Sequence, residues 1–184
     1  MPTNEWYTPP HILEAVRAVF EAPVDLDPAS CPKANETVQA SRIYTKRDNG
    51  LMHEWRAENV YLNPPYGRTS SGGSNLEHFT RHIIEQYECG NVKQAIMIIP
   101  VNTATSWFEP LWKYSICFPV SRIRFLQEDG SPSDGMSFGT CLVYFGIKTG
   151  HFAKVFLPYG PVITPNGIYH RDERPRQKSL VLSS

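Results

Sequence analysis

The chain has 184 residues, of which 41% are hydrophobic and 20% charged, a balance that predicts one soluble globular domain with a proper core. Eighteen basic side chains offset eighteen acidic ones. The protein therefore lacks the overall basic field typical of nucleic-acid binders, which leaves only a local basic face for such a partner. No apolar run is long enough to span a membrane, and the start, Met1 to Trp6, has no signal-peptide pattern. Cys31, Cys89, Cys117 and Cys141 are scattered without a CxxC pair, and the six histidines do not pair with them at ligand spacing. This predicts reduced thiols in a cytoplasm, with neither a disulfide frame nor a metal site.

Ile12, Val16, Val19 and Phe20 recur at helical spacing and predict a helix from about Pro10 to Glu21. Thr8 is the expected N-cap, with Pro9 at the first helical position. The run Ala22 to Asp27, stopped by Pro28, predicts a first strand with Asp27 at its carboxyl end. Ligands of open α/β sheets collect there, and Ala29 and Ser30 are small enough for one to reach the backbone. Residues 33–42 predict a short helix or ordered loop, Ser41 to Thr45 a second strand, and Lys46 to Leu51 a turn centred on Asn49-Gly50.

Val60-Tyr61-Leu62 is the next strand, followed directly by Asn63-Pro64-Pro65-Tyr66. Two adjacent prolines offer no N–H and each fixes its own φ, so the chain leaves the sheet as a stiff hook. An amide oxygen, a rigid carbonyl and an aromatic face within four residues suit the holding of a planar amino group. The oxygens accept both of its N–H hydrogens while the ring stacks on the plane. Such acceptors draw the nitrogen lone pair out of conjugation, a form of electrostatic preorganisation.

Gly67 to Asn75 predicts a flexible polar loop, with Arg68 available for a phosphate. Leu76, Phe79, Ile83, Ile84 and Tyr87 predict a helix capped by Ser74 or Asn75 and stopped by Gly90. Gln94 to Pro100 reads as a strand buried on both faces. Trp107, Phe108, Leu111 and Trp112 predict a helical face with both tryptophans in the core. Phe118 to Phe125 reads as extended, with Arg122 and Arg124 on one side of the alternation. A loop from Gly130 to Phe138 precedes a late buried strand, Gly139 to Gly146. Beyond it the periodicity fades. Residues 147–184 are expected to form an irregular extension, with one edge segment near Val155 to Ile163 and a solvated charged tail from Arg171 to Lys178.

Three motifs stand in order: Trp6-Tyr7-Thr8-Pro9, strand-Asp27-Pro28, and strand-Asn63-Pro64-Pro65-Tyr66. Together they make residues 4–146 resemble the small phage-type DNA N6-adenine methyltransferases. The resemblance implies an α/β, Rossmann-like fold with a mostly parallel sheet and a late reversed strand, in a single catalytic domain spanning 1–184. It implies S-adenosylmethionine as methyl donor, DNA as partner, little or no separate target-recognition domain, and residence in a host cytoplasm. Asn63, Pro64, Pro65 and Tyr66 become the catalytic hook. Tyr66 stacks on a flipped adenine, and Asn63 and the Pro64 carbonyl accept the N6 hydrogens for direct in-line transfer, without a metal or a covalent enzyme intermediate.

For the cofactor, the resemblance implies Trp6, Tyr7, Thr8 and Pro9 along its methionine end, Asp27, Pro28, Ala29 and Ser30 at its ammonium group, and Asp48 at its adenosine amine. Arg68, Arg122 and Arg124 are the candidates for DNA contact. The chain departs from the family in having Asp27-Pro28-Ala29-Ser30-Cys31-Pro32 where a glycine-rich loop is common. Cytosine N4 and a protein glutamine amide present the same planar amino group, so both stay open as substrates. A non-catalytic DNA-binding relative is the third alternative. The oligomeric state is not legible in the residues.

Overall fold

A computed structural model describes residues 6–68, 72–133 and 138–170. A single eight-stranded sheet carries the fold, in the order β2-β1-β3-β4-β6-β5-β7-β8. Its strands are β1 (Leu26–Asp27), β2 (Arg42–Ile43), β3 (Ala57–Leu62), β4 (Val92–Pro100), β5 (Ser115–Cys117), β6 (Thr140–Phe145), β7 (Val162–Thr164) and β8 (Gly167–Tyr169). Four α-helices accompany it: α1 (Pro10–Phe20), α2 (Pro32–Val38), α3 (Asn75–Glu88) and α4 (Thr149–Phe156).

The strands β2, β1, β3 and β4 pair in parallel. Every pairing beyond β4 is antiparallel, because β6 is inserted in reverse between β4 and β5 and β7 and β8 follow as a hairpin. The late reversed strand is thus present, but the sheet is parallel through only half of its order. The first half brings the carboxyl ends of β1, β2, β3 and β4 to one edge. Between β1 and β3 the strand order reverses, since the chain runs from β1 outward to β2 and only then back to β3. That is the topological position at which open sheets form crevices.

Alternation along the strands separates two apolar layers. Ile96 and Ile98 of β4 and Leu142 and Tyr144 of β6 face α1, α2 and α4 through Ile12, Val16, Val38, Phe152 and Phe156. Their neighbours Ala95, Met97 and Ile99, with Cys141, Val143 and Phe145, face α3 and a short 3-10 turn through Phe79, Ile83, Phe108 and Leu111. The expectation that β4 is buried on both faces holds. A polar chain crosses the first layer without being orphaned: Tyr144 donates to Gln94, and Gln94 donates to Asn59.

Several local expectations are revised. Thr8 does not cap α1; Pro9 occupies the N-cap without a side-chain bond, and the first helical residue is Pro10. Trp112 is 44% exposed rather than in the core, because Glu109–Lys113 is a 3-10 turn whose tighter winding cannot bury a continuous helical stripe. Residues 118–125 form no sheet ladder. Phe118 and Val120 bond the backbone of Pro161 and Tyr159 instead, while Ile123 and Phe125 are buried and Arg122 and Arg124 exposed.

Within the expected irregular extension, residues 149–169 carry regular elements. Phe152, Ala153 and Phe156 bury one face of α4, and the β7–β8 hairpin completes the sheet. The charged tail from Arg171, residues 69–71 of the polar loop and residues 134–137 of the later loop lie outside the described residues.

Candidate active site

The hook leaves β3 as the sequence requires. Val60, Tyr61 and Leu62 are fully buried in the sheet, and the ladder stops at Leu62. Asn63 then sits half-buried, Pro64 buried and Pro65 exposed, with Tyr66 half-buried. The Asn63 amide is fixed by its surroundings. Its nitrogen donates to the Trp6 carbonyl at 2.8 Å and, more weakly, to the Thr8 hydroxyl at 3.5 Å. The bond to a carbonyl identifies which amide atom is nitrogen, so Oδ1 points the other way, where it accepts from the Tyr66 hydroxyl at 3.3 Å. Phe138 meets the Tyr66 ring edge-on at 6.1 Å. Burial holds the Tyr66 phenol above its ordinary pKa, so it is a neutral hydrogen-bond donor across the working pH range.

Opposite the hook lies the end of β1. Asp27 is 2% exposed, and burial pushes its carboxyl up to about 6, opposed by Ser30 and by the Ala29 amide. The Ala29 N–H donates to it at 3.2 Å. The Ser30 hydroxyl is close enough to favour the charged carboxylate but has no partner at hydrogen-bond distance among the described residues. The next loop is held against this one: a Cβ on Gly50 would stand 2.0 Å from the Pro28 carbonyl oxygen. Trp55, fully buried, donates its indole N–H to the Gly50 carbonyl at 2.8 Å.

Between these walls is a cavity of about 740 Å³, within the range of small-ligand sites. It is lined by Trp6, Tyr7 and Thr8, by Asp27, Pro28, Ala29 and Ser30, and by Asn63, Pro64, Pro65, Tyr66 and Arg68. Segments far apart in sequence thus meet at the crevice between β1 and β3. Pro9 is buried behind this lining rather than in it. Asp48 is also absent from it. Its carboxylate accepts the backbone N–H and the hydroxyl of Thr45, both at 2.7 Å, and those bonds hold its pKa below the usual carboxylate range. Lys46, Asn49, Gly50 and Leu51 occupy the wall that Asp48 was expected to supply. Arg122 and Arg124 are exposed and outside the cavity.

A family model for DNA N-6-adenine-methyltransferases (Dam) matches residues 2–151. The chain belongs to this family. No curated protein matched it. This DNA adenine methyltransferase is therefore a transferase whose substrate is adenine in DNA. The match decides against cytosine, a protein amide and a non-catalytic DNA binder. The absence of a glycine-rich loop after β1 does not remove the chain from the family. No helix among the described residues is long and apolar enough to cross a membrane. No group of His, Cys, Asp and Glu able to hold a metal occurs among them either.

The sequence reading missed Tyr61 and the wall residues Lys46, Asn49, Asn75 and Phe79. Tyr61 carried no signal of its own, as it reads as a core residue of β3. Gly50 was visible as half of an Asn-Gly turn, but its closeness to Pro28 is a tertiary fact.

Proposed function

We propose that this methyltransferase takes its methyl group from S-adenosylmethionine and gives it to N6 of an adenine flipped out of the DNA, with Asn63, Pro64 and Tyr66 acting on the base. The observation that carries the proposal is the Asn63 amide, pinned through its nitrogen so that its oxygen turns to Tyr66, with both side chains in the cavity lining. A stacked adenine cannot bring N6 into an enclosed crevice, so the base must leave the helix. Tyr66 then stacks on it. Asn63 Oδ1 and the Pro64 carbonyl accept the two N6 hydrogens, drawing the nitrogen towards a pyramidal, nucleophilic form.

The residues around Asp27 fit the methyl donor. A carboxylate can accept about four hydrogen bonds, and the Ala29 N–H donates one to this buried carboxylate at 3.2 Å. With the Ser30 hydroxyl, it would hold the donor's ammonium group, and the Trp6–Thr8 segment would lie alongside. When bound, S-adenosylmethionine would supply an electrophilic sulfonium methyl; direct transfer would break its S–CH3 bond as the N6–CH3 bond forms, leaving the thioether S-adenosylhomocysteine, and N6 would give up one proton to solvent. Holding base and donor in one crevice provides much of the rate by orientation. The reversed β6 between β4 and β5, with the crevice at the β1–β3 reversal, supports reading the sheet as a Rossmann-like methyltransferase fold.

The test is incubation with unmethylated DNA and S-adenosylmethionine, digestion to nucleosides and mass spectrometry. The expected product is N6-methyladenine, and Asn63→Ala abolishes it while donor binding by calorimetry survives. Full activity in Asn63→Ala overturns the assignment.

A further inference from the structure

The Trp6-Tyr7-Thr8 segment touches the hook as well as the cavity, and one fully buried tyrosine joins that contact. Tyr61 is 0% exposed and Thr8 4%. Their hydroxyl oxygens are 2.5 Å apart, and the Thr8 oxygen also accepts from the Asn63 amide nitrogen at 3.5 Å. A threonine hydroxyl has two acceptor positions and one proton. With Asn63 on one position, a proton from Tyr61 fills the other, satisfying a buried phenol for which no other hydrogen bond is seen among the described residues. Burial keeps that phenol protonated, since it pushes the Tyr61 pKa well above its ordinary value.

The segment is itself anchored. Tyr7 exchanges two backbone hydrogen bonds with Leu126, at 3.0 and 2.8 Å. Its neighbours Trp6 and Thr8 therefore present a carbonyl and a hydroxyl to Asn63 from a fixed backbone.

We propose that Thr8 and Tyr61 are positioning residues for methyl transfer. Tyr61 fixes the Thr8 hydroxyl, and Thr8, with the Trp6 carbonyl, fixes the Asn63 amide so that Oδ1 faces the target amino group. An unrestrained amide presents –NH2 to the base in one of its two orientations, and there it repels the N6 hydrogens instead of accepting them. This inference rests on the assignment of Asn63 as an acceptor for N6. It gives Thr8 a task beyond contact with the methyl donor.

The experiment measures single-turnover methylation with saturating DNA and S-adenosylmethionine, alongside donor affinity by calorimetry. The variants are Thr8→Val, Thr8→Ser, Tyr61→Phe and Asn63→Ala. Thr8→Val keeps shape and removes the acceptor. Its rate at saturating donor is expected to fall about tenfold to a hundredfold, as for an ångström-scale misplacement, whatever change in donor affinity accompanies it. Thr8→Ser restores most of the rate, and Tyr61→Phe falls between. A Thr8→Val or Tyr61→Phe rate equal to the parent's overturns the proposal, as does a Thr8→Val loss that appears only in donor affinity. If Thr8→Val fails to fold, Tyr61→Phe and Thr8→Ser decide it by the same readouts. Asn63→Ala separates the two claims. Full activity there removes the acceptor role and this inference with it, whereas an inactive Asn63→Ala beside an unimpaired Thr8→Val removes the inference alone.

Discussion

Replacing Asp27 with asparagine tests the buried carboxylate in both its structural and its binding consequences. The carboxyl rises from an ordinary 3.8 to about 6 on folding because burial disfavours its charge. A difference of that size corresponds to about 3 kcal/mol between the protonated and ionised forms. The sign follows from proton uptake. Between about pH 4 and pH 6 the folded protein holds this proton more tightly than the unfolded chain, so stability falls as pH rises through that window and is level above it. Near neutrality the ligand-free enzyme therefore bears a cost of order 3 kcal/mol, which the ammonium group of the proposed methyl donor would offset.

Exposed carboxylates push the opposite way. Glu21, Asp48, Glu88 and Asp129 are held low by Lys148, Thr45, Lys113 and Ser131 respectively, so their contributions are lost as pH falls. The difference between parent and Asp27→Asn isolates the buried group. Urea unfolding of both proteins from pH 4 to pH 8 is the assay, with calorimetric titration of S-adenosylmethionine at pH 7.5. The expected result is near-equal stability at the acid end, Asp27→Asn more stable by about 1–3 kcal/mol at pH 7, and donor affinity at least tenfold weaker. A difference curve flat across the window, or undiminished donor binding, refutes the reasoning.

Gly50→Ala drives a Cβ about 1 Å inside the closest tolerable approach to the Pro28 carbonyl. It should lower stability by about 1–3 kcal/mol in thermal unfolding and weaken donor binding, since the displaced loop carries Asp27. Tyr66→Phe removes only the hydroxyl on Asn63 and should leave kcat/KM within about threefold of the parent, whereas Tyr66→Ala removes the stacking face. A stacked base is worth about 1–3 kcal/mol, so a tenfold to hundredfold loss is expected in steady-state kinetics. Arg68 lines the cavity, with its guanidinium 3.5 Å from the Gly72 carbonyl. Arg68→Ala should weaken DNA binding on all sequences alike and reduce the slope of log affinity against log salt by about 1, as measured by fluorescence anisotropy.

Strong local signals in the sequence correspond to what folds. The helical stripes of α1 and α3, the continuous apolar run of β4 and the prolines that stop β3 each carry their own conformational cause. The placement of the hook and of Asp27 at strand ends was legible for the same reason, since a proline stops each strand within two residues. Asp48 was misread because an exposed Asx turn and a ligand carboxylate look the same in one dimension. Only the tertiary structure shows that Asp48 turns one carboxylate oxygen to Thr45 and stays outside the cavity lining. Thr8 was misread as a cap because Thr before proline is an ordinary helix start, whereas its hydroxyl is turned inward to Tyr61. At the C-terminal side, Pro165 and Asn166 form the corner between β7 and β8, where Thr164 pairs with Gly167.

By itself the sequence determined the local conformations, the order of the strand ends and the residue types at two of them. Those depend on side-chain sterics, proline geometry and apolar periodicity within a few residues. The tertiary structure alone decided that the late reversed strand inserts between β4 and β5, that Gly50 closes on Pro28, and that the Thr8 hydroxyl, the Trp6 carbonyl and Tyr61 gather around Asn63. These depend on which faces pack together. A hydrogen bond spanning 53 residues, such as that between Thr8 and Tyr61, has no periodic trace in the chain, because its geometry exists only once the sheet has brought both ends to one crevice.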